Sequence, residues 1–240
     1  DYAADEPVGL DRAIVHQGKA LSYNNLLDAD AALGLARDLS PHGVAAAVFK
    51  HLSPCGAAVA IGDESLASVY RRAREVDAES AFGGIVSVTR PIDVETAKLI
   101  VETFIEVVVA PGYDPQALEI LSRKKNLRAL EVPDMFVGLD RPQPLRLRSV
   151  AGGVLVQRED EIKTTVAQGK VVTKRPASPE EIRSLELGQC VGKHVRSNAV
   201  VLVKDGATVG IGGGQTSRVE AVRQAIRRAQ ASPGGCKGSV

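Results

Sequence analysis

Apolar residues alternate along this chain between helical spacing and short uninterrupted runs. Residues 28–39 place alanines and leucines on one helical face, which predicts a helix, and Ser40-Pro41-His42-Gly43 ends it. The run from Val44 to Phe49 is apolar without alternation, as in a buried strand covered on both faces. We expect Ser53-Pro54-Cys55-Gly56 to end that strand, after it has delivered Lys50 and His51.

The same alternation of elements continues to the end of the chain. Helices are predicted over residues 65–75, 94–104, 115–121, 178–195 and 218–229, and strands over residues 82–88, 105–109, 153–157, 199–203 and 208–211. The Asp205-Gly206 pair predicts a hairpin between the last two strands. Alternating helices and strands indicate an α/β layered fold. Prolines and charges between residues 124 and 149 predict a soft domain boundary there.

Composition limits the classes of protein that remain. Thirty basic and 29 acidic residues give a formal net charge of +1 and are mixed along the chain, which disfavours a nucleic-acid or membrane-surface binder. We find no apolar run long enough to cross a bilayer and no leader-like start. Three separated cysteines make a poor disulfide framework, which favours a cytoplasmic location. The first and last residues suggest a fragment of a longer protein.

Lys50 and His51 are the first candidates for chemistry, because they follow a buried strand, where α/β proteins often carry catalytic residues. A histidine can take a proton from a weak nucleophile near neutral pH, and a neighbouring lysine can protonate a leaving group or hold an anion. The residues alone favour the plainer interpretation, a structural histidine beside a solvated lysine.

A glycine-rich segment, Gly210 to Arg218, leads from a predicted strand into a helix and is the second candidate. Backbone amides and the positive end of a helix favour a phosphate, and Arg218 could pair with it through its planar guanidinium. The spacing is not that of the dinucleotide fingerprint. Many turns of this kind bind nothing.

Asn198 lies just ahead of a predicted strand and could position a substrate carboxamide, although an asparagine that caps a helix is the commoner case. The sequence lacks the residues of a deaminase-type zinc site. Pro54-Cys55 begins like the deaminase Pro-Cys-x-x-Cys pattern, but Ala58 stands where that pattern has its second cysteine, and no His-x-Glu sequence occurs. We therefore expect no metal.

Ordered segments along the chain resemble one enzyme family. They are Gly18 to Asn25, Asp28 to Ala32, Phe49 to Gly56, Ser80 to Gly84, Ala110 to Tyr113, Glu119 to Arg128, Gly152 to Gln157, Val172 to Arg175, Lys193 to Leu202 and the glycine turn through Arg218. Together they resemble the bifunctional formyltransferase and inosine monophosphate cyclohydrolase of purine biosynthesis. The resemblance covers nearly all of the chain from Gly18 onward.

The resemblance implies transfer of a formyl group from 10-formyltetrahydrofolate to the 5-amino group of 5-aminoimidazole-4-carboxamide ribonucleotide. It implies catalytic roles for Lys50, His51 and Asn198. It implies substrate binding by Arg218, Gln215, Gly83 and Gly84. It also implies two cytidine-deaminase-like α/β units without zinc, here residues 1–130 and an incomplete unit at 150–240, joined by residues 131–149. A homodimer with sites between subunits is expected in the parent protein.

Several departures from the family pattern bear on function. An arginine-bearing segment ahead of Leu21, an aromatic segment after Val240 and the cyclohydrolase domain are absent, so we expect this chain alone to be inactive and not to close the purine ring. Gly84 stands where some members have aspartate, and Gly213 where alanine is usual. A nucleotide-binding module without turnover is the main alternative, and a deaminase on the same fold is disfavoured by the missing zinc ligands.

Overall fold

One large mixed sheet organises the chain. The computed structural model describes residues 9–139, 145–162 and 164–240. Within them, eight strands form a sheet in the order β1-β6-β5-β4-β2-β3-β10-β9, and β7 and β8 form a separate hairpin. Neighbouring strands are parallel in the pairs β4-β5 and β5-β6 and antiparallel in the others.

The helices and strands follow one another through the whole described chain. The strands are β1 Ile14–Gln17, β2 Ala45–Lys50, β3 Ser53–Val59, β4 Gly84–Val88, β5 Ile105–Ala110, β6 Arg128–Glu131, β7 Leu145–Val150, β8 Gly153–Arg158, β9 Val200–Lys204 and β10 Ala207–Gly212. The α-helices are α1 Tyr23–Leu39, α2 Leu66–Glu75, α3 Ala78–Ala81, α4 Val94–Val101, α5 Pro115–Leu121, α6 Pro179–Lys193 and α7 Arg218–Ala231.

Helices cover both faces of the large sheet. Because side chains alternate along a strand, Ala46 and Val48 of β2 enter a core that includes residues of α2, α4 and α5. Ala47 and Phe49 of the same strand enter a second core beneath α1 and α6. Every residue of β2 except Lys50 is buried. The predicted strand covered on both faces is confirmed, and so is the α/β character of the fold.

The predicted end of β2 is right, but the prediction that Ser53-Pro54-Cys55-Gly56 is only a strand stop is wrong. These residues begin β3, which pairs with β2 from Lys50–Ser53 to Ala45–Val59. The proline is accommodated beside a shift of register between Val48 and Phe49. Gly56 is required for packing, since a Cβ there would lie 2.2 Å from the carbonyl oxygen of Ala73 in α2.

Helix α1 starts five residues earlier than predicted. The hydroxyl of Ser22 accepts a hydrogen bond from the backbone amide of Asn25, and the Asn25 side chain accepts one from the backbone amide of Ser22. This reciprocal cap fixes the helix start although the first turn has few apolar residues. The predicted inward face, which includes Ala29 and Leu33, is buried.

Strands on both sides of the predicted domain boundary belong to one sheet. β10 pairs with β3 through Ala207 and Ala58, and Thr208 accepts a hydrogen bond on its hydroxyl from the amide of Ala57. The division at residues 131–149 stays a prediction, and residues 140–144 lie outside the described residues. The predicted Asp205-Gly206 hairpin is confirmed, with φ of 48° and 66°.

Candidate functional site

Strand directions bring the sequence-predicted site residues to one edge of the sheet. β2 ends at Lys50, and β4, antiparallel to β2, starts at Gly84. Because β3 is antiparallel to both β2 and β10, strand β10 ends at the same edge, where β9 begins just after Asn198. Two strand spacings separate β2 from β10, about 10 Å. The catalytic, amide and glycine-rich candidates therefore form two neighbouring groups on one edge.

His51 lies in a two-residue turn between β2 and β3. Its φ is 54° and that of Leu52 is 62°, both in the left-handed region. Two-residue hairpin turns of this type favour Asn-Gly, and left-handed φ in other residues costs of order 1–3 kcal/mol each. The imidazole of His51 is exposed and has no hydrogen-bond partner within the described part of the chain. It is free to accept a proton from a bound molecule.

A buried carboxylate contacts this turn from α1. Asp28 accepts hydrogen bonds from the backbone amide of Leu52 at 2.6 Å on Oδ1 and of His51 at 3.3 Å on Oδ2. Only 8% of Asp28 is exposed. The sequence predicted that Asp28 lies on a helix but gave it no role. Its partners His51 and Leu52 are 23 and 24 positions away in the chain, so no local pattern reveals the contact.

The ammonium group of Lys50 is held beside the start of β4. Its Nζ donates a hydrogen bond to the carbonyl oxygen of Phe82 at 2.6 Å. Gly83 follows with φ of 72°, and a Cβ on Gly84 would lie 2.6 Å from the carbonyl oxygen of Phe49. An aspartate at Gly84 would require this backbone to shift, so Gly83 and Gly84 offer backbone groups rather than space for side chains.

An exposed aromatic pair borders Lys50 and was not singled out from the sequence. The rings of Phe82 and Phe104 have centroids 5.4 Å apart and are tilted by 55°. Phe82 is 60% exposed, although it is adjacent to a buried strand. A large exposed aromatic beside a lysine provides an apolar face on which a flat ring can pack. The sequence feature that could have indicated this aromatic surface is the phenylalanine directly before Gly83-Gly84.

Asn198 is joined to the glycine turn, not to His51. Its backbone amide and its Nδ2 donate hydrogen bonds to the carbonyl oxygen of Gln215, at 3.0 and 2.9 Å. The side chain of Gln215 donates in turn to the carbonyl oxygen of Gly213 and to Oε1 of Gln224. Asn198 keeps Oδ1 as an acceptor, while the Gln215 side chain serves mainly to hold the turn.

The first turn of α7 presents unpaired groups to solvent. Ser217 makes no side-chain cap, so backbone amides of the first helical turn are not satisfied by a capping side chain. Arg218 is exposed and, among the described residues, its guanidinium has no partner. Free amides, the helix dipole and a free guanidinium suit an anion such as a phosphate.

Cys55, the cysteine of the deaminase-like pattern, is buried. Burial raises the pKa of the Cys55 thiol to about 12, with Asp77 adding to the rise, so the thiol stays protonated at neutral pH. In the described ranges no group of three or more histidine, cysteine, aspartate or glutamate residues could hold a metal ion. No helix in those ranges has the length and apolar character needed to cross a membrane.

The fold and site define an α/β protein that gathers basic, amide and glycine-rich segments at one sheet edge. A family model described as AICARFT/IMPCHase bienzyme matches residues 2–228. The chain therefore belongs to the AICARFT/IMPCHase bienzyme family.

Curated relatives agree with this assignment. The bifunctional purine biosynthesis protein PurH of Myxococcus xanthus is 46% identical over 234 residues, which are 97% of this chain and 45% of that protein. The protein of the same name from Sorangium cellulosum is 49% identical over 95% of this chain and 42% of its own length. That from Rippkaea orientalis is 42% identical over 98% and 44%. The chain spans less than half the length of these relatives.

Proposed function

We propose that the protein containing this chain transfers a formyl group from 10-formyltetrahydrofolate to the 5-amino group of 5-aminoimidazole-4-carboxamide ribonucleotide, in purine biosynthesis leading to inosine monophosphate. Family membership and the names of the purine biosynthesis relatives support the reaction class. The observation that carries the proposal is the common sheet edge, on which a free imidazole, a lysine and a candidate phosphate site lie together.

His51 is the proposed general base. The 5-amino group is a poor nucleophile because its lone pair is delocalised into the ring and carboxamide, so removing its proton during attack lowers the barrier. Lys50 is the proposed acid, protonating the departing folate nitrogen or stabilising the developing charge. Its hydrogen bond to the Phe82 carbonyl oxygen holds the ammonium group beside the start of β4. Both roles need groups that are not already buried in ion pairs.

The second group on the edge is proposed to bind the nucleotide. Arg218 and the start of α7 would hold the phosphate, and Asn198 would accept from a donor on the ribonucleotide through Oδ1. Gln215 would act by fixing the turn and Asn198. Gly83 and Gly84 would contribute backbone contacts near Phe82, whose exposed ring offers a face for a flat part of either substrate.

The wider setting is also part of the proposal. We place the protein in the cytoplasm as a homodimer with small-molecule substrates, without nucleic acid, membrane or metal. Its described sheet is proposed to comprise cytidine-deaminase-like units that need no zinc, divided at residues 131–149. The proposal of zinc-free chemistry rests on Ala58, which stands where the deaminase pattern has its second cysteine ligand.

The test is turnover by the full-length protein that carries this chain. Purified protein with the ribonucleotide and 10-formyltetrahydrofolate should release tetrahydrofolate and form the formylated nucleotide in equal amounts. Nucleotide binding measured by calorimetry without any turnover would instead indicate a binding module. Turnover that requires added zinc would contradict the proposed metal-free chemistry.

A further inference from the structure

The turn that carries His51 has an unfavourable backbone for its residues. Strands β2 and β3 pair as far as Lys50 and Ser53, so only His51 and Leu52 form the loop. Both have positive φ, as in the hairpin turn type that favours asparagine and glycine. Leucine in particular has no local hydrogen bond of its own that would favour this conformation. Something outside the turn must stabilise it.

Asp28 supplies the stabilising contact from a separate element. Each carboxylate oxygen accepts from a different backbone amide of the turn, Leu52 at 2.6 Å and His51 at 3.3 Å. A carboxylate that accepts from backbone amides makes charge-assisted bonds, which are stronger than neutral ones. Asp28 lies in the second turn of α1, whose start is fixed by the reciprocal cap between Ser22 and Asn25. The carboxylate is therefore anchored on a rigid element.

We propose that Asp28 is a positioning residue for the formyl transfer: its carboxylate holds the His51–Leu52 turn in the left-handed conformation and so directs the imidazole of His51 toward the substrate edge. This inference rests on the proposed function. Asp28 is buried and contacts the amides and not the imidazole, so it acts through the backbone and not as a proton carrier. Without it, the turn is expected to relax and His51 to point elsewhere.

The experiment uses Asp28→Asn in the full-length protein, with Asp30→Asn as the matched control. Asparagine keeps the side-chain shape but loses the charge and one of the two acceptor oxygens. Asp30 lies two residues further along α1, about 200° around the helix, and is exposed. We expect Asp28→Asn to lower kcat at least tenfold with a smaller change in nucleotide KM, and Asp30→Asn to leave both within twofold.

A second variant separates positioning from general damage. Leu52→Gly places glycine where the turn favours it, so the turn depends less on Asp28. In that background, adding Asp28→Asn should cost less than fivefold in kcat, a partial rescue that a merely structural role would not produce. A larger loss in the Leu52→Gly background overturns the inference, as does a folded Asp28→Asn single variant with wild-type kcat. If the single variant does not fold, the comparison within the glycine background decides.

Amide hydrogen exchange gives a readout that does not depend on activity. In Asp28→Asn, the amides of His51 and Leu52 should exchange at least tenfold faster than in Asp30→Asn, while amides in the middle of β2 stay unchanged. Unchanged exchange at the turn overturns the inference. If the wild-type protein does not transfer a formyl group but the exchange result holds, the proposed function fails and the control of the turn by Asp28 stands.

Discussion

The carbonyl oxygen of Gln215 accepts both hydrogen bonds that Asn198 donates, one from its backbone and one from its side chain. This pairing ties the segment before β9 to the turn after β10, although the two are 17 residues apart in the chain. The side-chain amide of Asn198 is thereby oriented before any ligand arrives. Its Oδ1 is the acceptor left for a substrate.

Asn198→Asp should weaken nucleotide binding by about one to two powers of ten. A carboxylate cannot donate to the Gln215 carbonyl oxygen and would be repelled by it, and the loss of a hydrogen bond in a partly buried site costs about 1–3 kcal/mol. Calorimetric titration of the full-length variant with the ribonucleotide measures this. Asn126→Asp, at an exposed residue before β6, is the matched control. Equal nucleotide affinity in both variants would show that Asn198 does not take part in nucleotide binding.

His51→Ala should lower the rate of formyl transfer roughly 10²–10⁴-fold and leave nucleotide affinity within a few-fold. A general base acts mainly on the transition state, so its loss appears in kcat and not in binding. Steady-state release of tetrahydrofolate gives the rate. His16→Ala is the control, since His16 lies in β1 and pairs with Glu131 away from the site. A His51→Ala variant with more than half the parent rate would rule out His51 as the base.

Arg218→Ala should raise the Kd for the nucleotide by roughly ten- to a hundredfold and change the folate Kd far less. A charge-assisted bond to phosphate is worth about 1.5–3 kcal/mol. Separate calorimetric titrations with each ligand make the comparison. Arg227→Ala provides the control, because Arg227 is an exposed arginine further along the same helix. Similar effects on both ligands would indicate that Arg218 is a solvent-exposed residue of the helix with no role in phosphate binding.

Asp38→Asn should lower the free energy of unfolding by about 1–3 kcal/mol at pH 7. Asp38 at the end of α1 accepts from His194 at 2.6 Å and Lys193 at 3.1 Å, at the end of α6. Burial raises the pKa of Asp38, but the hydrogen bonds from His194 and Lys193 outweigh it, so its pKa lies below the usual value. These hydrogen bonds connect α1 and α6, two helices that cover the same face of the sheet.

The pH dependence of this effect follows from the sign of the shift. A carboxyl whose pKa is lowered by folding stabilises fully above its unfolded value of about 3.9, and the contribution disappears as the pH falls through the folded value. Denaturant unfolding of wild type and Asp38→Asn should therefore differ at pH 7 and converge in strongly acidic buffer. Asp63→Asn, at an exposed loop carboxylate, should match wild type throughout. A constant difference down to the lowest pH would contradict the ion-pair account.

The sequence predicted elements better than it predicted contacts. Long periodic helices such as α6, with the Ser178 cap, and the uninterrupted apolar run of β2 were recognisable because their signals are local. Strands β1 and β6 were missed, since four residues carry little periodicity. Strand β7 alternates leucine and arginine but begins in the charged, proline-rich stretch that was interpreted as a domain boundary. Strand β3 was missed because its proline and glycine act as strand stops unless a bulge and a close helix accommodate them.

The candidate site shows the same limit. Lys50, His51 and the glycine turn were found from position and residue type, and the resemblance assigned their roles. The carboxylate of Asp28 was not assigned a role, because only the three-dimensional path of α1 brings it to Leu52. The link between Asn198 and Gln215 was also invisible, since pairing of β9 with β10 is what aligns the two segments.

Among the residues that the structure describes, strands β7 and β8 pair only with each other, and all their residues are exposed. A two-stranded ribbon of this kind has little stability of its own and is open to proteases. The residues on its two sides meet elsewhere, through the β3–β10 ladder and the contacts of Asp38 with α6. A cut at Gly152 would therefore leave two pieces that separate on a denaturing gel yet elute together from a gel-filtration column. We expect the two halves of the cut chain to stay associated through these contacts.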